Sequence, residues 1–467
     1  MIRFIVIFVT VFSLLASCKV GRNFETIEVE TDSTFLHTND SLVKASEQVA
    51  TLDSNGLKWW ELFKDPILES LVSTGLENNK EALIAIKSIE KASLAFKNQK
   101  SEMLPQFDAA AGINRGNYSG FITNSPNTSW YGAATLNWEI DFWGKYRRLN
   151  ESAKAEMIGS QYGYQAVQIK LITDIVSTYY ELVGFHTSHE ISKATLALRD
   201  SSLVIITDRF NQGIAPEIDL NQAQIQKAIA QSAVPVYERQ IGLTENRLSL
   251  LLGTSSKSLN DVKMINELDK VPEIPVGIPS ELLSRRPDIL QAEQFVVSQN
   301  AKTGAAQAAR YPSISLTGLL GVASNQLTGI NGGNLAWNAG AGLVAPLFYF
   351  GQNKRRVEEQ RVLTEQATLQ YEQTVLTAFK EVEDALVEIE TYKKEIEARE
   401  IHVKAALNAQ SLSKLRYDKG VTSYLEYLEQ QRQAFDAQLR LVDTKKHLYN
   451  SYVRLYKALG GGWQTVK

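Results

Sequence analysis

The chain has 467 residues, 44% of them hydrophobic, which is ample material for a large core and unlike the composition of a disordered chain. With 49 Lys and Arg against 52 Asp and Glu, the formal net charge is −3, so no basic excess is available to neutralise a phosphate backbone and nucleic acid is disfavoured as a partner. One cysteine and five histidines exclude a disulfide framework and a cysteine-rich zinc site, and the place of that single cysteine calls for its own explanation.

Arg3 followed by an uncharged apolar stretch from Phe4 to Ser17 reads as a secretory signal. The stretch is too short to span a bilayer, which takes about 20 apolar residues, and Lys19, Arg22 and Glu25 follow it at once. Leu15-Ala16-Ser17-Cys18 resembles the bacterial lipobox, in which the cysteine is acylated and becomes the first residue of the mature chain. Cys18 is therefore the expected lipidation site, and the lipid anchors a chain with no transmembrane helix. The alternative is an ordinary signal with an incidental cysteine. Residues 18–56, rich in Ser, Thr, Asp and Glu after the first few positions, read as an N-terminal tether.

Beyond the tether the chain carries one design twice. Pro105 and Pro312, Gly144 and Gly351, Arg209 and Arg416, Gly213 and Gly420, and Gly253 and Gly460 are each 207 positions apart. The local text keeps the same register: Phe142-Trp143-Gly144-Lys145 faces Tyr349-Phe350-Gly351-Gln352, and Arg209-Phe210-Asn211-Gln212-Gly213 faces Arg416-Tyr417-Asp418-Lys419-Gly420. The expected organisation is a signal peptide (1–17), the tether (18–56), a first repeat (57–253), a proline-containing linker (254–279) and a second repeat (280–467). Each repeat runs helix, strand pair, very long helix, tight turn, return helix. The strand pairs fall at about 106–142 and 312–348, and the helical hairpins at about 144–253 and 351–460.

In the strands the parity is strict. Trp130, Ala134, Leu136, Trp138 and Ile140 alternate with Tyr131, Thr135, Asn137, Glu139 and Asp141, and Phe107, Ala109, Ala111 and Ile113 form a similar row before them. Ile314, Leu316, Leu320 and Val322, then Trp337, Leu343 and Leu347, repeat it in the second half. The text between paired strands, rich in Gly, Asn, Ser and Thr, reads as loop. A sheet packed on helices inside a soluble domain is the plainer reading. Strands of about 10 residues with one apolar face and aromatic ends (Trp138, Phe142, Trp143; Phe348, Tyr349, Phe350) fit membrane-barrel strands better. Four strands cannot close around a lumen, and an open edge in lipid leaves backbone groups unsatisfied, so several copies are required.

The helices are unusually long. From Gly351 to Gly420 no proline intervenes, and Val375, Phe379, Val382, Leu386, Ile389 and Ile396 follow four-three spacing broken only at Lys393. The first half matches with Gln168, Ile172, Ile175, Tyr179, Leu182 and His189. About 65 helical residues span roughly 100 Å, a length suited to coiled-coil or tubular packing. Pro235 is expected to kink the return helix of the first half. His186 and His189 have metal-pair spacing but lie on the packing stripe, so no metal or other cofactor is expected. Glycine loops that cradle phosphate, a nucleophile elbow and a zinc helix signature are all missing, which argues against an enzyme. A periplasmic scaffold would account for the hairpins but not for the strands.

Together these features resemble the TolC-type outer-membrane efflux ducts, in the lipoprotein branch. The resemblance rests on the lipobox, Trp59-Trp60-Glu61-Leu62-Phe63 with Asp65-Pro66, Asp141-Phe142-Trp143-Gly144, Arg285-Arg286-Pro287-Asp288-Ile289 and the two Arg-aromatic-x-x-Gly turns. It implies a mixed α/β membrane protein, a homotrimer whose twelve-stranded barrel continues into a periplasmic helical tube. It also implies docking to a periplasmic adaptor protein and an inner-membrane efflux transporter; a duct for type I protein secretion is the alternative within the family. By the same resemblance Glu426 and Glu429 line the closed periplasmic aperture, with Asp219 and Tyr417 in the gating network, while Thr422 stands where some relatives have a basic residue. The turns containing Arg209, Gly213, Arg416 and Gly420 are expected to dock the adaptor, their glycines allowing the positive φ of a tight helix end.

Overall fold

The computed structural model describes residues 19–27, 35–37, 65–118, 122–259, 262–268, 279–326 and 334–461. The signal peptide, Cys18, most of the tether, Trp59–Phe63 and most of the linker lie outside the described residues. In chain order the elements are α1 (Pro66–Asn78), α2 (Lys80–Ser101), β1 (Gln106–Tyr118), β2 (Ile122–Ile140), α3 (Lys145–Asn211) and α4 (Glu217–Leu251). A 3-10 turn (Ile265–Glu267) is followed by α5 (Pro279–Arg285), α6 (Pro287–Ala308), β3 (Ser313–Ser324), β4 (Asn334–Val344), α7 (Gln352–Asp418) and α8 (Tyr424–Ala458). The helices α2 and α6, α3 and α7, and α4 and α8 begin and end 207 positions apart, so the duplication holds to the residue at each helix end. α3 and α7 have 67 residues each, and α4 runs through Pro235 without ending there. Among the described residues no helix is long and apolar enough to cross a membrane.

Two compact units are present. The first, formed by residues 1–29, 87–162 and 289–374, contains the sheet, a four-stranded antiparallel meander in the order β1-β2-β3-β4. Its register sets Phe107 against Leu136, Ile113 against Trp130, Trp138 against Leu316, Ile140 against Ile314, and Leu320 against Trp337. Because side chains alternate along a strand, these pairs share one apolar face, and Asp108, Thr135, Asn137, Thr317 and Asn338 share the other. Phe107, Ile113, Leu320, Leu335, Trp337 and Leu343 are exposed on the apolar face. β1 and β4 are the sheet's two edges.

Two details differ from the sequence expectation. The polar text before Ser129 is largely strand, paired as Asn114 with Ser129, Arg115 with Thr128 and Gly116 with Asn127. Backbone pairing there needs no apolar side chains, so hydropathy alone missed it. β4 ends at Val344, and Leu347 lies beyond it, past Pro346, which has no N–H to extend a ladder. The join from β2 to α3 is built by Asp141, whose carboxylate accepts from the amides of Tyr146 (3.0 Å) and Arg147 (2.8 Å), with Gly144 at φ +79 making the turn.

The second unit, residues 30–86, 163–288 and 375–467, is helical. Its core is the stripe seen in the sequence: Ile172, Ile175, Tyr179 and Leu182 from α3, and Val382, Leu386 and Ile389 from α7, are buried with Leu68 and Val72 of α1 and Val453 and Tyr456 of α8. The ends of α4 and α8 are closed in equivalent ways. Asn79 Nδ2 donates to the Leu251 carbonyl at 2.8 Å, and 207 positions later Arg286 Nη1 donates to the Ala458 carbonyl at 3.0 Å. Arg286 also pairs with Asp288 and Glu381, which gives the Arg-Arg-Pro-Asp stretch a structural part in the helical core.

Candidate functional site

The four helix ends that carry a glycine at the 207 spacing are one motif repeated. At the α3–α4 turn the Gly213 amide donates to the Phe210 carbonyl and the Ile214 amide to that of Arg209, both at 2.8 Å. At the α7–α8 turn Gly420 donates to Tyr417 and Val421 to Arg416, both at 2.9 Å. This paired pattern with glycine at positive φ (+70 and +71) is the Schellman closure of a helix. A Cβ at Gly213 or Gly420 would meet nothing within 4 Å, so the backbone angle, and no packing demand, calls for glycine there.

Although the two turns share their text, their arginines do different things. The Arg209 guanidinium lies over the Tyr417 ring, 4.8 Å from its centroid, a cation–π contact. Arg416 instead reaches across its own turn, Nη1 donating to Glu426 at 2.9 Å. Ser423 and Glu426 have capping-box spacing at the start of α8, yet Ser423 makes no side-chain cap, and the Glu426 carboxylate is held by Arg416 and the Thr422 hydroxyl. Thr422 thus contributes a hydrogen bond to the acid, and Arg416 supplies the cation.

Glu429, one turn further, is held by the Arg432 guanidinium (2.9 and 2.7 Å) and by Gln433 (2.9 Å). These contacts, Arg432 foremost, draw its carboxyl down to about 2 while it stays exposed to solvent. Within one chain the group Arg416, Glu426, Glu429 and Arg432 therefore carries no net charge. The sequence reading recognised the two acids and gave Arg416 to the docking turn, but it did not pair Arg416 with Glu426, ten residues on, nor notice Arg432, three residues after Glu429 at a spacing that puts both on one helix face.

Beneath the turns lies a small core of Ile206, Ala223, Tyr424, Tyr427 and Leu428, with Tyr417 partly buried against it. Tyr417 stacks near Tyr424 and Tyr427, its centroid 5.4 and 6.3 Å from theirs. Burial pushes the hydroxyl pKa of Tyr417 and Tyr424 up, Arg209 works against that shift at Tyr417, and the Asp219 charge adds to both. Asp219 sits in the first turn of α4 beside Glu217, where the helix dipole favours a carboxylate.

The turns present apolar side chains that sequence reasoning passed over. Ile214 is 69% exposed and Val421 66%, and Ile218 is 59% exposed and Leu425 57%. Each pair is again 207 positions apart, a signal that was open to inspection in the sequence. His186 and His189 lie elsewhere in the helical unit; burial lowers the His186 pKa, and His189 stands 3.5 Å from Glu238.

A family model described as outer membrane efflux protein matches residues 71–254 and 278–461. The chain is 34% identical over 412 residues to the solvent efflux pump outer membrane protein SrpC of Pseudomonas putida, covering 87% of each. It is 31% identical to the outer membrane protein OprJ of Pseudomonas aeruginosa, covering 90% of this chain and 88% of that protein. Among solved structures it superposes on the Campylobacter jejuni CmeC outer membrane channel with a TM-score of 0.84 at 26% identity, covering 96% of both chains. The open state of the Neisseria gonorrhoeae MtrE outer membrane channel gives 0.84 at 25% identity, over 95% of this chain and 98% of that one.

Proposed function

The chain belongs to the outer membrane efflux protein family and is an outer-membrane exit duct of an efflux pump; from that premise we propose that three copies close one duct, working with a periplasmic adaptor and an inner-membrane transporter. The observation that carries closure by several copies is the sheet: four strands, one face apolar and exposed, and two edges that β1 and β4 leave open; that the copies number three follows from the resemblance to the TolC-type ducts. An edge in lipid leaves N–H and C=O groups without partners, and the smallest membrane barrels need about 8 strands, so a lone copy is not a stable membrane species. Three copies give twelve strands, each β1 pairing with a neighbour's β4. Residues 1–17 are assigned as signal peptide and Cys18 as the lipidated first residue of the mature chain, followed by the tether to residue 56 and the two repeats joined by 254–279.

In this reading the hairpin turns are the adaptor-docking end. Arg209 and Arg416 shape the turns from within, Gly213 and Gly420 close them, and Ile214, Ile218, Val421 and Leu425 supply apolar contact. Glu426, Glu429, Asp219 and Tyr417 form the aperture. Small molecules are favoured over proteins as cargo because the relatives' names speak of solvent and antibiotic efflux. The test is recovery from outer-membrane fractions and mass measurement of the detergent particle. Three chains per particle, with antibiotic or solvent sensitivity when the gene is deleted, is the expected result. A monomer in detergent refutes closure by copies, and loss of a secreted protein without such sensitivity points to the protein-secretion alternative.

A further inference from the structure

Arg148, in the first turn of α3, is 1% exposed. A buried guanidinium needs acceptors for its N–H groups, and α3 offers only Glu151, 2.9 Å from Nη1. The others come from a segment more than 120 residues earlier: Nε donates to the Val20 carbonyl at 3.1 Å and Nη2 to the Gly21 carbonyl at 2.5 Å. The same segment is held at three further points. Lys19 Nζ pairs with Glu151 at 2.7 Å, the Val20 amide donates to the Trp143 carbonyl at 3.1 Å, and Asn300 Nδ2 donates to the Arg22 carbonyl at 3.3 Å.

Two glycines make the room. A Cβ at Gly304 would lie 2.8 Å from Arg148 Nε, and one at Gly21, which has φ +90, would lie 2.7 Å from the Gly304 Cα. The second repeat shows that the fold does not require this arrangement. Arg355 stands 207 positions after Arg148 at the same place on α7, is exposed, and among the described residues its guanidinium donates only to the Phe350 carbonyl of its own turn at 3.1 Å. Burial of Arg148 thus serves the N-terminal segment and not the helix start.

We propose that Arg148, Glu151 and Gly304 form an intramolecular receptor for the chain's own residues Lys19–Gly21, fixing the start of the mature chain beside Trp143. Trp143 stacks on Tyr311 (4.7 Å) and donates its indole N–H to the Pro312 carbonyl at 2.8 Å, at one end of the sheet; in the barrel reading, aromatic rings at that end form a belt at the lipid headgroups. A diacylglycerol on Cys18 would join the chain two residues before an amide that is held by Trp143. This last consequence rests on the lipoprotein reading; the receptor itself does not.

The test is hydrogen exchange by mass spectrometry on the full-length protein in detergent, followed at the Val20 amide, which donates to the Trp143 carbonyl. Losing two hydrogen bonds to a charged group is expected to speed exchange there about 100-fold or more. Arg148→Gln should do this by removing the donor, and Gly21→Ala by the clash with Gly304. Gly21→Ala lies outside both the sheet and the helices, so it keeps the test valid if Arg148→Gln assembles poorly. Arg355→Gln should leave the Val20 amide as protected as in the wild type. A wild-type Val20 amide that exchanges freely, or an unchanged rate in both Arg148→Gln and Gly21→Ala, would overturn the receptor. The mass of the N-terminal peptide separates the two readings: an unlipidated Cys18 with Arg148-dependent protection retains the receptor and removes the anchor.

Discussion

Four glycines close four helices with the same hydrogen bonds and similar positive φ, but the space around them differs, and that difference predicts which are needed for folding. A Cβ on Gly253 would lie 2.3 Å from the Asn78 carbonyl oxygen, and one on Gly460 3.2 Å from that of Arg285; both obstacles are backbone and cannot swing away. Gly213 and Gly420 face open space. Placing an L-residue in the left-handed region costs about 1–2 kcal/mol, and overpacking a core adds about 1–3 kcal/mol. Gly213→Ala and Gly420→Ala should therefore lose only the first amount, Gly253→Ala both, and Gly460→Ala an intermediate sum. Thermal unfolding of the purified particle reads the order: Gly253→Ala melts earliest, the two turn variants latest. Gly420→Trp, which adds bulk where nothing is touched, should melt like Gly420→Ala yet abolish export in a drug-susceptibility assay. If the turn variants lose assembly as severely as Gly253→Ala, these glycines serve folding in a way the geometry does not account for. If Gly420→Trp exports normally, the turns are not the docking surface.

Replacing Glu426 and Glu429 with Gln leaves Arg416 and Arg432 unopposed, so single-channel recordings should shift away from cations while the melting temperature barely changes, since exposed pairs contribute less than about 1 kcal/mol. Arg432→Gln should move selectivity the other way, and unchanged selectivity in both variants would place these residues outside the conducting path. The Glu429 carboxyl titrates at about 2; a carboxylate lowered on folding contributes stability above its unfolded pKa and loses it as pH falls through the folded value. The Glu429→Gln difference in conductance should accordingly persist at pH 4 and fade only toward pH 2. In the helical core, Arg286→Met removes the donor to the Ala458 carbonyl and the guanidinium that pairs with Asp288 and Glu381, whose carboxylates are 40% and 35% exposed, and should cost about 2–4 kcal/mol. Asn79→Ala, which frees only the matching Leu251 carbonyl and the Ala82 amide, should cost about 1–3 kcal/mol. Equal melting temperatures for the two variants would refute that ranking.

Much of the backbone was legible because its signals are local and occur twice. Glycines at 207-residue spacing mark the C-terminal ends of α3, α4, α7 and α8, and the four-three stripe is buried at Val375, Val382, Leu386 and Ile389 and partly buried at Phe379. Period-two alternation located the sheet's apolar face, as the pairing of Trp138 with Leu316 and Leu320 with Trp337 bears out. Where hydropathy carried no information, at Asn127 and Thr128, strand was mistaken for loop, because ladder pairing there is made by the backbone and leaves no trace in side-chain polarity.

The side-chain roles were far less legible, and the reason lies in how two copies of one design diverge. A shared fold places Arg148 and Arg355, and Arg209 and Arg416, at matching backbone positions, yet neither pair keeps the same partners, and Arg286 adds two carboxylates to the helix-end carbonyl that it shares in kind with Asn79. Backbone position follows from periodicity and turn chemistry within a few residues. The partner of a long polar side chain depends on what the rest of the fold brings within about 3 Å, which a local pattern cannot encode. Arg148 finds carbonyls from residues 20 and 21, where Arg355 finds only its own turn; Arg416 finds Glu426, where Asp219 stands opposite Arg209 and the guanidinium turns to Tyr417 instead. Specialisation in a duplicated chain therefore appears first where equivalent residues have inequivalent partners, and those positions are where substitution in one repeat and its counterpart in the other should give different phenotypes.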